Sequence, residues 1–557
     1  MALAPEQQEA DQRDDDARRH EGVGDRDRSL EEGVHAPIRS SFVPWLRRPR
    51  RGKLARVLRT ASLNAARRAR ELDELASGAS VDVLVIGGGV TGTGVALDAV
   101  TRGLSVALVE RRDLAWGTSR WSSKLVHGGL RYLAKGDVGI AYESALERGI
   151  LMETTAPHLV RALPFVMPVG TGTSRRSAVL AAAGFAFGDL LRLAARTSRS
   201  TLPRPRWIAA DEARRLVPEL RAEGLDGALL SYDGQLVDDA RLVVGIARTA
   251  ASFGARILTY CRAERADGAG ADVVDERSGL AFRLRARHVV NATGVWADVL
   301  APQVQLTPSK GAHLVLSSAR LGHPSAALTV SVPGTLSRFV FLLPQGDGRV
   351  YLGLTDEPAT RVEDVPAIDE ADRQFLLSIA SRALETTLTD EDVIGSYAGL
   401  RPLVRGAEGA TADLSREHAI FTSESGLHTI VGGKLTTYRR MAEDVVDRFA
   451  SAPCKTKTTP LVGAGPRLDG IDAPPHLIAR YGAEAPIVMA LADAEPSLRT
   501  RVLPELPYLL AELRFALEHE GALTAEDLVD RRTRIGLAPV DREAALSVAG
   551  SLLADAR

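Results

Sequence analysis

A chain of 557 residues, 45 % of them hydrophobic, is long enough for more than one domain and a sizeable core. Its 70 Lys and Arg against 71 Asp and Glu leave a formal net charge of −1, so no global field marks a nucleic-acid partner. Two cysteines, Cys261 and Cys454, supply neither a disulfide framework nor a metal-ligand set, which points to a reducing, cytoplasmic location and no metal.

No apolar run reaches the roughly 18 residues needed to cross a bilayer, and the polar, acidic opening does not read as a secretory signal. Residues 1–40 carry almost no large apolar side chain and read as a disordered acidic tail. Residues 41–79 form a basic arm: from Arg47 to Arg70 cations recur without an acid, interleaved with Phe42, Trp45, Leu46, Leu54, Val57, Leu58 and Leu63. Such an arm fits an anionic lipid surface, or a helix docked on the body with a solvated basic face.

The stretch 81–110 organises the rest of the chain. Residues 81–86 (VDVLVI) are β-branched and apolar, as in a buried parallel strand. Gly87, Gly89 and Gly92 come next at GxGxxG spacing, then a helical segment to Arg102, a turn at Gly103, and a second apolar run ending on Glu110. Gly87 permits the turn, Gly89 lets a pyrophosphate reach the helix N-terminus, and Gly92 lets the helix lie close on the sheet. Glu110 accepts from ribose hydroxyls, and an acid here favours FAD or NAD over NADP.

Beyond Glu110, the small hydroxyls Thr118, Ser119, Ser122 and Ser123 stand at the expected mouth of the nucleotide site, and Lys124, His127 and Arg131 converge as for an anionic ligand. Residues 140–156 read as a helix. The uncharged run 178–188 suits a buried core helix better than a segment dipping into a membrane face. Asp238 and Asp239 open a helix, where the dipole gives both acids a structural role. ARHVVNATG (286–294) is a strand landing on a small turn at Gly294, placed to return beneath a cofactor.

Residues 309–351 change to several strands without helices between the last three, an antiparallel sheet grafted on the α/β core, with His313 among apolar neighbours. SYAGLRPLV then brings Arg401. At 428–450 a second strand–glycine–helix junction carries Gly432, Gly433, Lys434, Leu435 and Thr436, whose backbone N–H groups suit the pyrimidine end of a flavin. A Pro/Gly-rich linker (453–475) leads to a helical tail, in which Glu518, His519 and Glu520 read as charged helix surface rather than metal ligands.

The expected class is α/β (α+β overall): a Rossmann-type FAD-binding domain in three parts (80–155, 229–300, 393–452), a substrate or cap segment (156–228), an inserted antiparallel substrate domain (301–392) and a C-terminal helical domain (476–557).

VIGGGVTGTGVALDA, SSKLVHGGLRYL, VDDARLV, VNATGVWAD, KGAHLV, LGLTD, GLRPL, SREHAI and VGGKLTTYRRMAED together resemble the FAD-dependent glycerol-3-phosphate dehydrogenases of the aerobic, quinone-linked type, within the superfamily of D-amino acid oxidase and glycine oxidase. The resemblance spans about residues 81–450, and the helical tail is similar to the family's C-terminal domain. It implies hydride transfer from C2 of sn-glycerol 3-phosphate to flavin N5, giving dihydroxyacetone phosphate, with the electrons passed to a quinone at the inner face of the cell membrane. It implies a substrate site of Arg131, Tyr132, Arg401, Arg416 and Lys434, with Arg131 and Arg401 on the phosphate and His313 as the proton acceptor. It leaves a homodimer open. Gln345 after Pro344, and GVW (294–296) where GPW is common, depart from the family pattern. Two other readings stand: an FAD oxidase acting on glycerol 3-phosphate or a 2-hydroxy or amino acid, and a non-catalytic FAD-binding protein that docks on membranes.

Overall fold

The computed structural model describes residues 60–129, 137–170, 175–335, 338–404, 417–465 and 470–555. The acidic tail, the first part of the basic arm, Arg131, Tyr132 and Arg416 lie outside the described residues.

Val81–Ile86 pairs in parallel with Val106–Glu110 on one side and Ala281–Asn291 on the other. Arg256–Thr259 and Leu427–Gly432 extend this parallel sheet, and His418–Thr422 adds an antiparallel edge. Its central strands lack polar alternation because both faces are covered. Val95, Val243 and Met441, from the helices Val90–Thr101, Asp239–Ser252 and Tyr438–Val446, share one core with Val83 and Val85. On the other face Leu84 and Ile86 meet the strands Cys261–Asp267 and Gly270–Asp275, with Leu72 and Leu75 of helix Ala65–Ala76.

That helix is the described part of the basic arm, and it is docked. Asn64 caps it by accepting from the Arg67 N–H at 2.9 Å. Arg67 Nη2 donates to the Ala251 carbonyl at 3.1 Å, and Arg68 pairs with Asp275.

The inserted sheet is mainly antiparallel. Val160–Val169 runs against Gly227–Leu236, and Leu306–Ser317 is flanked by Arg349–Gly353 and Val393–Val404. Ala327–Ser331 joins the two halves by a parallel pairing with Val160–Val169. Leu376 and Leu377 of helix Glu370–Ser381 complete the core against Leu314, Leu342 and Leu352. This sheet places His313 and Arg401 on neighbouring strands.

Two local expectations change. The run at 178–188 lies in helix Arg175–Ala194, which is not a core helix: Ala178 and Leu191 are buried, whereas Val179, Phe187 and Leu190 are exposed. The Glu518–Glu520 stretch is not merely charged surface, because Glu520 is fully buried and both its oxygens accept from Arg241 at 2.9 Å. Arg248–Glu484 at 2.7 Å and Arg480–Glu512 at 2.8 Å belong to the same dry layer between helix Asp239–Ser252 and the C-terminal helices. A helix surface pattern cannot reveal this, since Arg241 and Arg248 lie more than 200 residues away from their partners in sequence.

His519 sits in this layer, 2.7 Å from Ser62 Oγ, and burial with the nearby Arg248 charge lowers its pKa to about 4. It stays neutral in the fold and charges in the unfolded chain below its ordinary 6.5. Stability present at neutral pH is therefore lost as pH falls from 6.5, levelling off for this group at about 4. Urea unfolding of His519→Gln is expected to depend less steeply on pH across that window than the parent; an identical slope would remove His519 as a contributor.

Candidate active site

The parallel sheet and the inserted sheet share one cavity of about 1450 Å³, above the roughly 300–1,000 Å³ of ordinary small-molecule sites. At its nucleotide end, Gly87 has φ +114, and a Cβ there would lie 2.6 Å from the Ala292 carbonyl oxygen. A Cβ on Gly92 would lie 1.9 Å from the Gly87 oxygen, so the helix rests directly on the turn. Gly89 precedes helix Val90–Thr101, and the cavity reaches Gly89, Val90 and Thr91 at its N-terminus. Gly92 itself does not line the cavity; its part is close packing.

Glu110 borders the same end. Its carboxylate accepts from the Gly88 N–H at 2.6 Å and the Arg112 N–H at 2.8 Å, while enclosure pushes its pKa up. Two backbone clamps fix the group and leave lone pairs for a diol. Gly294, Gly432, Gly433, Lys434, Leu435 and Thr436 line the cavity further along. Gly432 and Gly433 take φ +80 and +70, which turns the chain from Leu427–Gly432 into the following 3-10 turn and helix.

The four predicted hydroxyls all border the cavity, and each is engaged. Thr118 Oγ1 donates to the Leu400 carbonyl at 2.6 Å, and Ser119 Oγ accepts from the Val90 N–H at 2.9 Å. Ser122 Oγ donates to Asp239 at 2.7 Å, and Ser123 Oγ lies 2.8 Å from His313 Nε2. They stitch the two sheets and helix Asp239–Ser252 into one wall.

Lys124 departs from expectation. It does not line the cavity with His127 but is fully buried, with Nζ 2.9 Å from Asp239 Oδ2 and 4.7 Å from the Tyr397 ring centroid. Asp239 is correspondingly more than a dipole partner, since it anchors both Ser122 and Lys124. Sequence reasoning missed Asp239, Tyr397 and Asp356 as parts of the site. VDDARLV was the available signal for Asp239; Tyr397 and Asp356 carry none without the strand register.

His313 is buried, stacked on Tyr397 at 4.6 Å between ring centroids. Burial, then the Lys124 and Arg401 charges, hold its pKa well below 6.5. Its Nδ1 has no hydrogen-bond partner among the described residues, a polar atom that is costly unless a bound molecule meets it. Gly353 makes room for the ring: a Cβ there would lie 2.3 Å from His313 Cδ2.

Arg401 faces the cavity across Gly311, where a Cβ would lie 2.2 Å from Nη2. Its Nη1 donates to Ser309 Oγ at 3.1 Å and Asp356 Oδ1 at 3.0 Å, which fixes the plane of the fork. Lys434 Nζ donates to Ser144 Oγ at 2.8 Å. The structure thus brings Arg401, Lys434 and His313 to one cavity with the nucleotide grip. Of the two sequence departures, Gln345 does not reach the cavity but accepts from buried Arg534 at 3.1 Å, whereas Val295 does line it.

A nucleotide-gripping βαβ unit opposed by an antiparallel sheet over a common cavity is the build of a flavin-dependent oxidoreductase. The chain belongs to the FAD dependent oxidoreductase family, whose sequence profile matches residues 82–439, and residues 454–556 match the C-terminal domain of alpha-glycerophosphate oxidase. It is 52 % identical over 510 residues to glycerol-3-phosphate dehydrogenase 1 of Mycobacterium tuberculosis, covering 89 % of this chain and 99 % of that one. A mitochondrial glycerol-3-phosphate dehydrogenase of Arabidopsis thaliana is 35 % identical, with 87 % and 84 % covered. The glycerol-3-phosphate dehydrogenase of Bacillus halodurans, solved with FAD, superposes with a TM-score of 0.68 at 29 % identity, over 88 % of this chain and 94 % of that one.

The glycine turn, the clamped Glu110 and the cavity volume fit FAD. Gly92→Ala is expected to purify without the yellow flavin band at about 450 nm, because its methyl group collides with the Gly87 carbonyl. Full flavin content in that variant would show the helix does not need to lie so close.

Proposed function

We propose that the chain oxidises sn-glycerol 3-phosphate to dihydroxyacetone phosphate, using FAD, and passes the electrons to a quinone while associated with the cytoplasmic face of the membrane. The observation that carries this reading is two cations from separate elements, Arg401 and Lys434, bordering the cavity that the nucleotide grip also borders. The likeness to glycerol-3-phosphate dehydrogenases over 89 % of the chain supports the substrate. The chemistry supplied by bound FAD is acceptance of the C2 hydride at N5 and onward delivery of both electrons.

In this reading the turn at Gly87, Gly89 and Gly92 holds the diphosphate, and Glu110 takes the ribose hydroxyls. Thr118, Ser119, Ser122, Ser123 and Gly294 form the cofactor wall, and Gly432 to Thr436 turn their backbone toward the pyrimidine end of the ring. Arg401, its plane set by Asp356 and Ser309, receives the substrate phosphate as a planar fork. Arg131, Tyr132 and Arg416 join it by their place in the motifs. Lys434, steadied by Ser144, orients the C2 hydroxyl and balances negative charge on the ring.

His313 takes the hydroxyl proton. Its low pKa makes it a weak base, but loss of hydride turns the C2 oxygen into a strongly acidic protonated carbonyl, so a weak base suffices. The depressed pKa also keeps it proton-free at working pH, and the acid limb of kcat/KM is expected below pH 6.5. That limb should disappear in His313→Gln; a limb that persists unchanged there belongs to another group.

The match of residues 454–556 to an oxidase domain makes oxygen the rival acceptor. Peroxide formed in step with substrate in air would decide for the oxidase, and reduction of a quinone without peroxide for the dehydrogenase. The first experiment is anaerobic addition of glycerol 3-phosphate to the purified yellow protein. Bleaching is expected, and its absence would favour a non-catalytic binding protein. Arg401→Ala and Lys434→Ala are expected to keep FAD but lose roughly 10–100-fold in kcat/KM, as for a charge-assisted hydrogen bond of about 1.5–3 kcal/mol. Loss of the flavin instead would make them cofactor ligands.

A further inference from the structure

Helix Val138–Ile150 borders the cavity at Val138 and Ile140 and carries three buried polar side chains, Ser144, Glu147 and Arg148. Steps of three and four residues put them on one face. Each grips a different part of the site. Ser144 donates its single proton to the Ile140 carbonyl at 2.8 Å, so its lone pairs are left for the Lys434 ammonium, also at 2.8 Å. Glu147 accepts from Arg439 as a fork, Nε to Oε2 at 2.8 Å and Nη2 to Oε1 at 2.6 Å. Arg148 Nη1 donates to Asp233 at 2.6 Å, and Asp233 also accepts from the Gly128 N–H at 3.2 Å.

Two of these contacts join the same two elements. Lys434 caps the 3-10 turn Leu435–Thr437, and helix Tyr438–Val446, which holds Arg439, continues that turn. Ser144–Lys434 and Glu147–Arg439 are therefore two rungs between one helix and one junction. A single rung would let the junction pivot, whereas two fix its register. Arg148 ties the same helix to strand Gly227–Leu236 through Asp233, so the rungs start from a fixed base. Arg439 also pairs with Glu443 at 2.9 Å, but that partner lies on its own helix and sets no register. Neither Glu147 nor Arg439 borders the cavity. A dry ion pair adds little net stability over apolar side chains of the same size, because desolvation offsets the attraction, and its best-attested use is to select one register.

We propose that Glu147 is a positioning residue for the reaction: through Arg439 it fixes the junction against helix Val138–Ile150, and so places the Lys434 ammonium against the flavin ring. The inference rests on the role proposed above for Lys434.

The test uses the holoenzyme and the midpoint potential of its flavin, which a cation against the reduced ring raises. Loss of the Glu147 charge alone would raise the potential, since it removes a negative group; a displaced lysine lowers it. The sign therefore separates the two. Glu147→Gln is expected to keep its FAD and to make flavin reduction about tenfold less favourable, about 30 mV lower for two electrons. Its kcat/KM with glycerol 3-phosphate should fall about tenfold, the scale of one misplaced charge-assisted hydrogen bond. Arg439→Lys, which keeps the charge but not the fork, should move both readings the same way, and it carries the test if Glu147→Gln does not fold. On a Lys434→Ala background Glu147→Gln should lower neither reading further. A potential that rises or stays unchanged, or the same loss of turnover with and without the lysine, overturns the proposal and leaves a pair that only holds the fold. If Lys434→Ala itself has the parent's potential and turnover, the proposed role of the lysine falls and the positioning role with it. If Lys434→Ala lowers both and Glu147→Gln lowers neither, the positioning role alone falls.

Discussion

A carboxylate shut away from water must be met by donors, and Asp239 is met on a single oxygen by the Ser122 amide, the Ser122 hydroxyl and the Lys124 ammonium, all within 3.0 Å. Those contacts pin the 118–124 loop to the start of helix Asp239–Ser252. From the loop the order passes onward: Ser123 reaches His313, Tyr397 donates to the Ser122 carbonyl at 3.0 Å and stacks on the His313 ring, and Lys124 lies over Tyr397. The histidine between the two sheets is thus held by a closed ring of contacts, each member fixed by the next. Burial pulls the Lys124 pKa down while Asp239 opposes the shift, so the pair is mutually dependent.

The cavity of about 1450 Å³ between the two sheets is lined mainly by apolar side chains, among them Phe165, Met167, Trp296 and Phe341. The tethered hydroxyls of Thr118, Ser119, Ser122 and Ser123 fix one part of that wall. Glycines supply the close approaches: Gly92 under the helix, Gly311 beneath Arg401 and Gly353 beside His313. At each, even one methyl group would occupy space already filled by backbone, guanidinium or imidazole.

Sequence reading reached the elements whose signal is local. The GxGxxG junction, Glu110, the second junction at Gly432 to Thr436 and the antiparallel insertion all come from short-range periodicity and turn chemistry, and the structure forms them there. What it could not reach depends on contacts far apart in the chain. Lys124 and His127 are near neighbours in a basic loop, yet the lysine, at a left-handed backbone position with φ +57, is buried on Asp239 while His127 lines the cavity. Glu520 looks like helix surface until Arg241 is folded onto it. The helix at 175–194 misleads for the opposite reason: an uncharged run suggests a core, but two neighbouring layers cover only one side of it.

Asp113 stands three residues past Glu110, fully buried, and accepts from both Arg531 and Arg532 of the C-terminal region at 2.7 Å. The strand end that carries Glu110 is therefore continuous with a charge that, among the described residues, arginines of the distant domain neutralise. Such a seam couples the two modules in evolution. A tail recombined from a related protein without both arginines would strand a carboxylate in a dry interface, and a changed Asp113 would strand the arginines. Arg241–Glu520 and Arg248–Glu484 join the same two modules by buried pairs, so at each of these contacts both partners must be inherited together.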